Sequence, residues 1–243
     1  MTTFLGSLRR AKRWALASGL LASLAIAACN PTAPTTDGDS GLSIEPPPPP
    51  QASPVAAPAD PNRARINEPA PDFTAVDSAG TTRKLSDYQG KIIVLEWTNH
   101  QCPFVRKHYG SGNMQALQAE ATAEGIVWLS VISSAPGQQG YVDGAEANEQ
   151  TTSREASPTA VLLDPEGTIG RLYGARTTPH MYVIDPEGVL RYMGGIDDIP
   201  SADPSDIESA QNYVRPAIAS LLAGEPVATA TSQPYGCSVK YAS

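Results

Sequence analysis

The residues best suited to chemistry lie in "WTNHQCPFVRKH", positions 97 to 108, with Cys102 flanked by His100, Arg106, Lys107 and His108. An aliphatic run leads up to this stretch. Pro103, a favoured first helical residue, follows the cysteine. That order sets the sulfur between the carboxyl end of a buried strand and the amino end of a helix. Unpaired backbone N–H groups converge there, and the helix dipole favours negative charge. Arg106 and Lys107 add cationic charge about one turn further on. The thiolate is the nucleophile, so the pattern points to a reactive cysteine. The plainer reading is a cysteine packed in the core. The polar run Thr98, Asn99, His100 and Gln101 speaks against it.

The chain has 243 residues and only two other cysteines, Cys29 and Cys237. Arg9, Arg10, Lys12 and Arg13 precede the apolar run "WALASGLLASLAIAAC", which is too short for a comfortable membrane span. A basic head, an apolar middle and small residues at the end describe a secretory signal. Ile26, Ala27, Ala28 and Cys29 resemble the lipobox of bacterial lipoproteins. The resemblance implies that residues 1–28 are removed and Cys29 is lipidated. The protein would then be exported and lipid-anchored to a bacterial cell membrane, on the periplasmic side in a Gram-negative cell. An ordinary cleaved signal is the alternative. Outside the cytosol thiols oxidise unless something maintains them. With Cys29 lipidated, Cys102 and Cys237 permit a single pairing.

The net charge is −8, and the first 29 residues hold four basic residues and no acid. The remainder therefore carries 17 − 4 = 13 basic and 25 acidic residues, or −12. Such a surface repels phosphate backbones, which excludes nucleic acid as a partner. Residues 29–66 are rich in proline and small polar residues, with an unbroken proline run from Pro46 to Pro50. This composition predicts a disordered, partly extended tether.

Order is expected from near Pro69. "DFTAVDSAGTTRKL" reads as a hairpin across Ser78, Ala79 and Gly80. "KIIVLEWT" and "IVWLSVISS" are continuous apolar runs, the pattern of strands covered on both faces. Between them a helix starts at Pro103, with Gly110 and Gly112 bending or delaying it, and ends at Gly125. "GAEANEQTTSREA" reads as an exposed helix, "TAVLLDPEG" as a strand and turn, and "TIGRLYGA" as a short helix. "HMYVIDPEGVLRYMGGI" reads as a hairpin. A closing helix over "DPSDIESAQNYVRPAIASLLAG" is expected to kink at Pro216. Residues 67–224 thus form an α/β domain with right-handed crossovers and an antiparallel edge. Residues 225–243 form an irregular tail carrying Cys237.

"NHQCPFV", "TTPHMYVID", "GGIDD" and "PYGCSVKY", in that order, resemble the thioredoxin-like superfamily. The nearest branch is the peroxiredoxin-like group of alkyl hydroperoxide reductases and thiol-specific antioxidants. The resemblance covers Glu68 to Ser243. It implies a central mixed sheet flanked by helices, with an N-terminal β-hairpin extension. Cys102 matches the peroxidatic cysteine. Pro179 matches the proline whose cis peptide bond lies against the active cysteine, with Thr177 and Thr178 presenting backbone groups beside it. Val105 stands where a thioredoxin has its second cysteine. Asn99 stands where a peroxiredoxin has threonine or serine. Asn99, His100, Arg171 and Arg176 are candidate donors to a peroxide. Cys237 is the candidate resolving thiol, within or between chains; a static disulfide or a surface thiol is the alternative.

The expected function is a membrane-tethered, thiol-dependent peroxidase acting on hydroperoxides and regenerated by a thiol reductant. The alternatives are thiol-disulfide exchange with exported clients, and a non-catalytic binding module. No P-loop, dinucleotide fingerprint or serine-triad elbow occurs, so no cofactor is expected. His100, His108 and His180 lack zinc spacing; a copper or zinc site between His180 and Cys102 is the metal alternative. Asp197 and Asp198 read as turn or capping residues.

Overall fold

The computed structural model describes residues 62–242. The signal segment, the lipidation candidate Cys29 and nearly all of the proline-rich tether lie outside the described residues. Strands β1 (Thr74–Asp77) and β2 (Thr82–Lys84) form the expected hairpin. Then follow β3 (Ile93–Trp97), α1 (Pro103–Gly110), α2 (Asn113–Ala123) and β4 (Val127–Ile132). After these come α3 (Gly144–Ser153), β5 (Ala160–Leu163) and α4 (Thr168–Tyr173). The chain continues through β6 (Thr177–Thr178), β7 (His180–Ile184), β8 (Leu190–Gly194), α5 (Val214–Leu222) and β9 (Cys237–Ser238).

Seven strands form one sheet in the order β2-β1-β5-β4-β3-β7-β8. β3, β4 and β5 are parallel, while β7 runs antiparallel to β3 and β1 antiparallel to β5. All five residues of β3 and all six of β4 are buried, as expected for strands covered on both faces. Alternation sends Ile93, Leu95 and Trp97 to a core shared with Phe73, Ile169, Tyr173 and Tyr182. The opposite face carries Val94, Trp128, Met181 and Val183 under Met114, Leu117, Val214 and Ile218 from α2 and α5.

Two helices stand where one bent helix was expected. Gly112 adopts φ 77°, a left-handed conformation that stops α1 and lets α2 restart in a new direction. The closing helix is also divided. A 3-10 turn spans Pro204–Glu208, and α5 begins only at Val214. Pro216 therefore falls in the first turn of α5. An N–H there has no intrahelical partner, so the proline neither breaks a bond nor kinks the helix.

Candidate active site

Cys102 is the N-cap of α1, with φ −72° and ψ 124°, and Pro103 opens the helix. Its own N–H donates to the Asn99 carbonyl at 3.0 Å, closing the turn between β3 and α1. The sulfur is fully buried. As a thiol it donates to the Thr178 carbonyl at 3.1 Å. Thr178 immediately precedes the cis peptide bond to Pro179. The Thr178 segment reaches the sulfur because β7, which follows Pro179, pairs with β3 in the register Trp97↔His180.

The residues after Glu225, expected to be irregular, are docked along the site. Met193 N–H donates to the Ala230 carbonyl at 3.1 Å, and Val239 N–H to the Arg176 carbonyl at 3.0 Å. Strand β9 pairs antiparallel with β6, setting Cys237 opposite Thr178 and Ser238 opposite Thr177. Gly236 adopts φ 124°, and a Cβ there would lie 2.1 Å from the Thr178 carbonyl oxygen. Only glycine permits this close approach, which carries Cys237 to Cys102. Both cysteines are unpaired thiols.

Their acidities diverge. Burial raises the Cys102 thiol. Hydrogen bonds from the Cys237 thiol, the Thr178 hydroxyl and the Val105 and Cys237 N–H groups act the other way and prevail, so its pKa is lowered. Burial first, then the hydrogen bond to Cys102 and the charge of that sulfur, push Cys237 up to about 11. The pair thus places the anion on Cys102 and the proton on Cys237. The Thr178 carbonyl opposes the anion, and the surrounding donors outweigh it.

The tail is fastened by a buried polar cluster. Tyr235 donates its phenolic hydrogen to Asp197. Lys107 Nζ and His108 Nε2 each lie 3.8 Å from the same carboxylate, and the side chains of Lys107, His108 and Asp197 are buried. Burial, with the charge of Lys107, lowers His108 to about 4, so it is neutral at pH 7. Lys107 does not support the thiolate as expected. It turns to Asp197 and to the Ile199 carbonyl, while Arg106 is exposed. Asp197 likewise does more than shape a turn. The Tyr235 ring also packs edge-on to Phe104, one residue beyond Pro103, with centroids 5.8 Å apart.

The remaining candidates sit as follows. Asn99 is buried and tied to its loop: its amide donates to the Gln139 carbonyl at 3.2 Å and its oxygen accepts from Gln101 N–H at 2.9 Å. His100 is half-buried, and burial with the nearby charge of Arg154 lowers its pKa. Arg171 donates to the Ala242 carbonyl at 2.8 Å and lies over the Tyr241 ring. Arg176 is exposed. His180 is buried beside Tyr182, and burial lowers it to about 3. Among the described residues, no three His, Cys, Asp or Glu side chains gather as a metal site.

Sequence reasoning missed Glu96. This fully buried carboxylate accepts from Tyr109, Gln118, Trp128 and Ser130 at 2.9 to 3.1 Å. The signal was available, because Glu96 is the single acid inside the apolar run of β3. Its four partners lie on α1, α2 and β4, so it ties the base of the α1–α2 unit to the sheet.

The sequence profile of the AhpC/TSA family matches residues 66–193. The chain belongs to the AhpC/TSA family. Its match takes in Cys102, Thr178 and Pro179 and stops short of Cys237. Two solved structures are similar over 74% of this chain with a TM-score of 0.61 each. One is a hypothetical protein of Sinorhizobium meliloti, 20% identical and covered over 96% of its length. The other is an uncharacterized conserved protein of Geobacillus kaustophilus, 22% identical and covered over 94%. The exposed lipoprotein thioredoxin of Streptococcus pneumoniae is 26% identical over 57% of this chain and 96% of its own, with a TM-score of 0.42. No curated protein matches. The fold of this AhpC/TSA protein is thioredoxin-like, and its function is thiol-dependent redox chemistry.

Proposed function

We propose that the protein is a hydroperoxide-reducing thiol peroxidase in which Cys102 is oxidised and Cys237 resolves it. The observation that carries this reading is the β6–β9 pairing, which sets Cys237 opposite the residue whose carbonyl contacts Cys102. The Cys102 thiolate attacks one oxygen of the hydroperoxide and the O–O bond breaks. The sulfur becomes a sulfenic acid, and the departing alkoxide takes up a proton to leave as alcohol. The Cys237 sulfur then attacks the sulfenic sulfur, its proton leaves with the hydroxyl as water, and a disulfide forms. A dithiol reductant restores both thiols by exchange and is itself oxidised.

The complete burial of Cys102 favours a small oxidant over a protein disulfide, which needs a far larger opening. Thr178 and the N–H groups of Val105 and Cys237 stabilise the thiolate before attack. Asn99 holds the loop that presents Cys102, and Pro179 fixes the Thr178 carbonyl against it. His100 stands two residues before the nucleophile at the rim. The basic N-terminus and the lipobox-like Ile26 to Cys29 support the further reading that the mature protein is exported and tethered through a lipid on Cys29.

The deciding experiment is one equivalent of hydroperoxide followed by mass spectrometry of the intact chain. Loss of two hydrogens, mapped to a Cys102–Cys237 crosslink, with one alcohol formed per chain, is the expected result. Two unmodified thiols would sink the peroxidase. Mixed disulfides between a Cys237→Ser variant and other exported proteins, without peroxide consumption, would establish disulfide exchange instead.

A further inference from the structure

The strand that carries Cys237 runs through a strip of cations. Lys240 Nζ donates to Ser238 Oγ at 3.1 Å, one residue beyond Cys237. Burial and the Cys102 sulfur raise the Cys237 pKa, and the charge of Lys240 opposes them, so that ammonium stands close to the thiol. The Arg176 carbonyl accepts the Val239 N–H at 3.0 Å, beside Lys240. Arg171 donates to the Ala242 carbonyl at 2.8 Å and lies over the Tyr241 ring, 4.6 Å from its centroid. The Arg63 guanidinium fills the space above Gly174, where a Cβ would meet its Nη2 at 2.1 Å. Burial and Asp164 raise the Tyr241 pKa while Arg171 and Arg63 act against them, so both guanidiniums flank one ring. Four cations therefore border residues 237–242, and Arg63, Arg171 and Arg176 are exposed.

Among the described residues none of the four forms an ion pair. Asp164, the acid that acts on Tyr241, is buried and already accepts from Ser133 Oγ at 2.6 Å and from the Ile169 and Gly170 N–H groups. The chain as a whole is acidic, at −8, so the strip is a local reversal of sign. A patch of one sign set in a surface of the other orients an oppositely charged partner as it approaches. The strip also frames the one sulfur of the pair that a macromolecule can reach. Cys102 is fully buried, whereas Cys237 is half-buried. An anionic membrane would answer the same charge, but it brings no thiol to Cys237 and would meet the acidic remainder of the surface as well.

We propose that this strip docks an acidic-faced protein dithiol, which reduces the Cys102–Cys237 disulfide by attack at Cys237. The inference rests on the peroxidase reading only for the existence of that disulfide. One partner thiolate attacks Cys237 Sγ and forms a mixed disulfide. Cys102 departs as the thiolate, the more acidic and therefore better leaving sulfur of the two. The second partner thiol then attacks the partner's own sulfur in the mixed disulfide. Cys237 leaves, takes up the proton of that thiol, and the partner ends as a disulfide.

The test oxidises the full chain to the disulfide with hydroperoxide, or with diamide should hydroperoxide leave the thiols intact. Reduction is then timed with a reduced thioredoxin of net negative charge and with dithiothreitol. Arg176→Glu and Lys240→Glu are each expected to slow thioredoxin about fivefold or more at low ionic strength. About 0.2 M salt should remove most of that difference. Dithiothreitol should reduce the parent and Arg176→Glu at the same rate. Lys91→Glu makes the same change of charge at the opposite end of β3 and should leave both rates alone. Equal thioredoxin rates for the parent and Arg176→Glu at low salt, or equal slowing in Lys91→Glu, overturns the proposal. So does binding of the parent to phosphatidylglycerol vesicles, lost in Arg176→Glu, with thioredoxin rates unmoved, which would assign the strip to the membrane. A disulfide formed by diamide alone sinks the peroxidase and leaves this test in place; no disulfide with either oxidant overturns this proposal too.

Discussion

Cys237 lies directly across the β6–β9 ladder from Thr178, the residue whose carbonyl receives the Cys102 thiol at 3.1 Å. Backbone pairing, and not side-chain reach alone, thus brings the second sulfur to the first. The position of the tail and the acidity of the nucleophile are therefore one structural question.

The acidity can be read directly. Cys102 is held below the ordinary thiol range and Cys237 is pushed up to about 11. Alkylation rate against pH is expected to show one thiol titrating early and one late. A Cys237→Ala variant loses a donor to the anion, so its Cys102 titrates at higher pH and reacts more slowly at pH 7. An unmoved titration would remove Cys237 from the stabilisation of the thiolate.

Gly236→Ala isolates the ladder. The added methyl meets the Thr178 carbonyl at 2.1 Å, and the φ of 124° disfavours any side chain. Disulfide formation after peroxide is expected to slow by about tenfold or more, with sulfenic acid trapped by dimedone in its place. The contact is confined to a two-residue ladder, so the thermal melting point should change little.

Tyr235→Phe removes the donor to Asp197 and leaves Lys107 and His108 beside that carboxylate. The expected loss is about 1–3 kcal/mol in urea unfolding. A second readout separates the tail from the rest: Cys102 should alkylate faster in this variant than in the parent at equal pH. Equal alkylation rates would show that the cluster does not hold the strap over the sulfur.

Acid should destabilise the fold through its buried histidines. His108 and His180 are lowered to about 4 and about 3, against 6.5 when exposed. Between those values the unfolded chain binds more protons than the folded one, so stability falls as pH drops from about 6.5 towards 4. Each histidine contributes on the order of 2 kcal/mol between pH 7 and pH 5. Urea midpoints at the two pH values check this, and His108→Gln is expected to remove about half of the histidine-dependent loss.

Glu96→Leu tests the buried carboxylate. Tyr109, Gln118, Trp128 and Ser130 would each lose an acceptor in a dry environment. The loss is expected to reach about 3 kcal/mol or more by urea unfolding. Recovery by Glu96→Gln should be partial, since its amide nitrogen cannot accept those donors.

The parts of this molecule legible in the sequence are those written in local patterns. The apolar runs of β3 and β4, the Asp185–Gly188 turn, the proline opening α1 and the glycine ending it all act within a few residues. The site is divided on the same principle. The position of Cys102 at a strand–helix junction is local, and so it was readable. Its contact with Thr178 joins residues 76 apart in sequence. No spacing announces that contact; only the likeness to a known family pointed to it. The docking of the tail depends on Tyr235 meeting Asp197, two residues that look ordinary until the fold brings them together. Lys107 shows the reverse error. Its sequence position suggested help for the thiolate, and a distant carboxylate claims it.

That closed ion pair has a consequence for the medium in which the protein works. With Lys107 neutralised by Asp197 and Arg106 turned to solvent, the anionic sulfur is held by uncharged donors in a buried setting. Dissolved ions screen exposed charges and leave such contacts almost untouched. Reactivity towards a neutral oxidant should therefore be the same in dilute buffer and in brine.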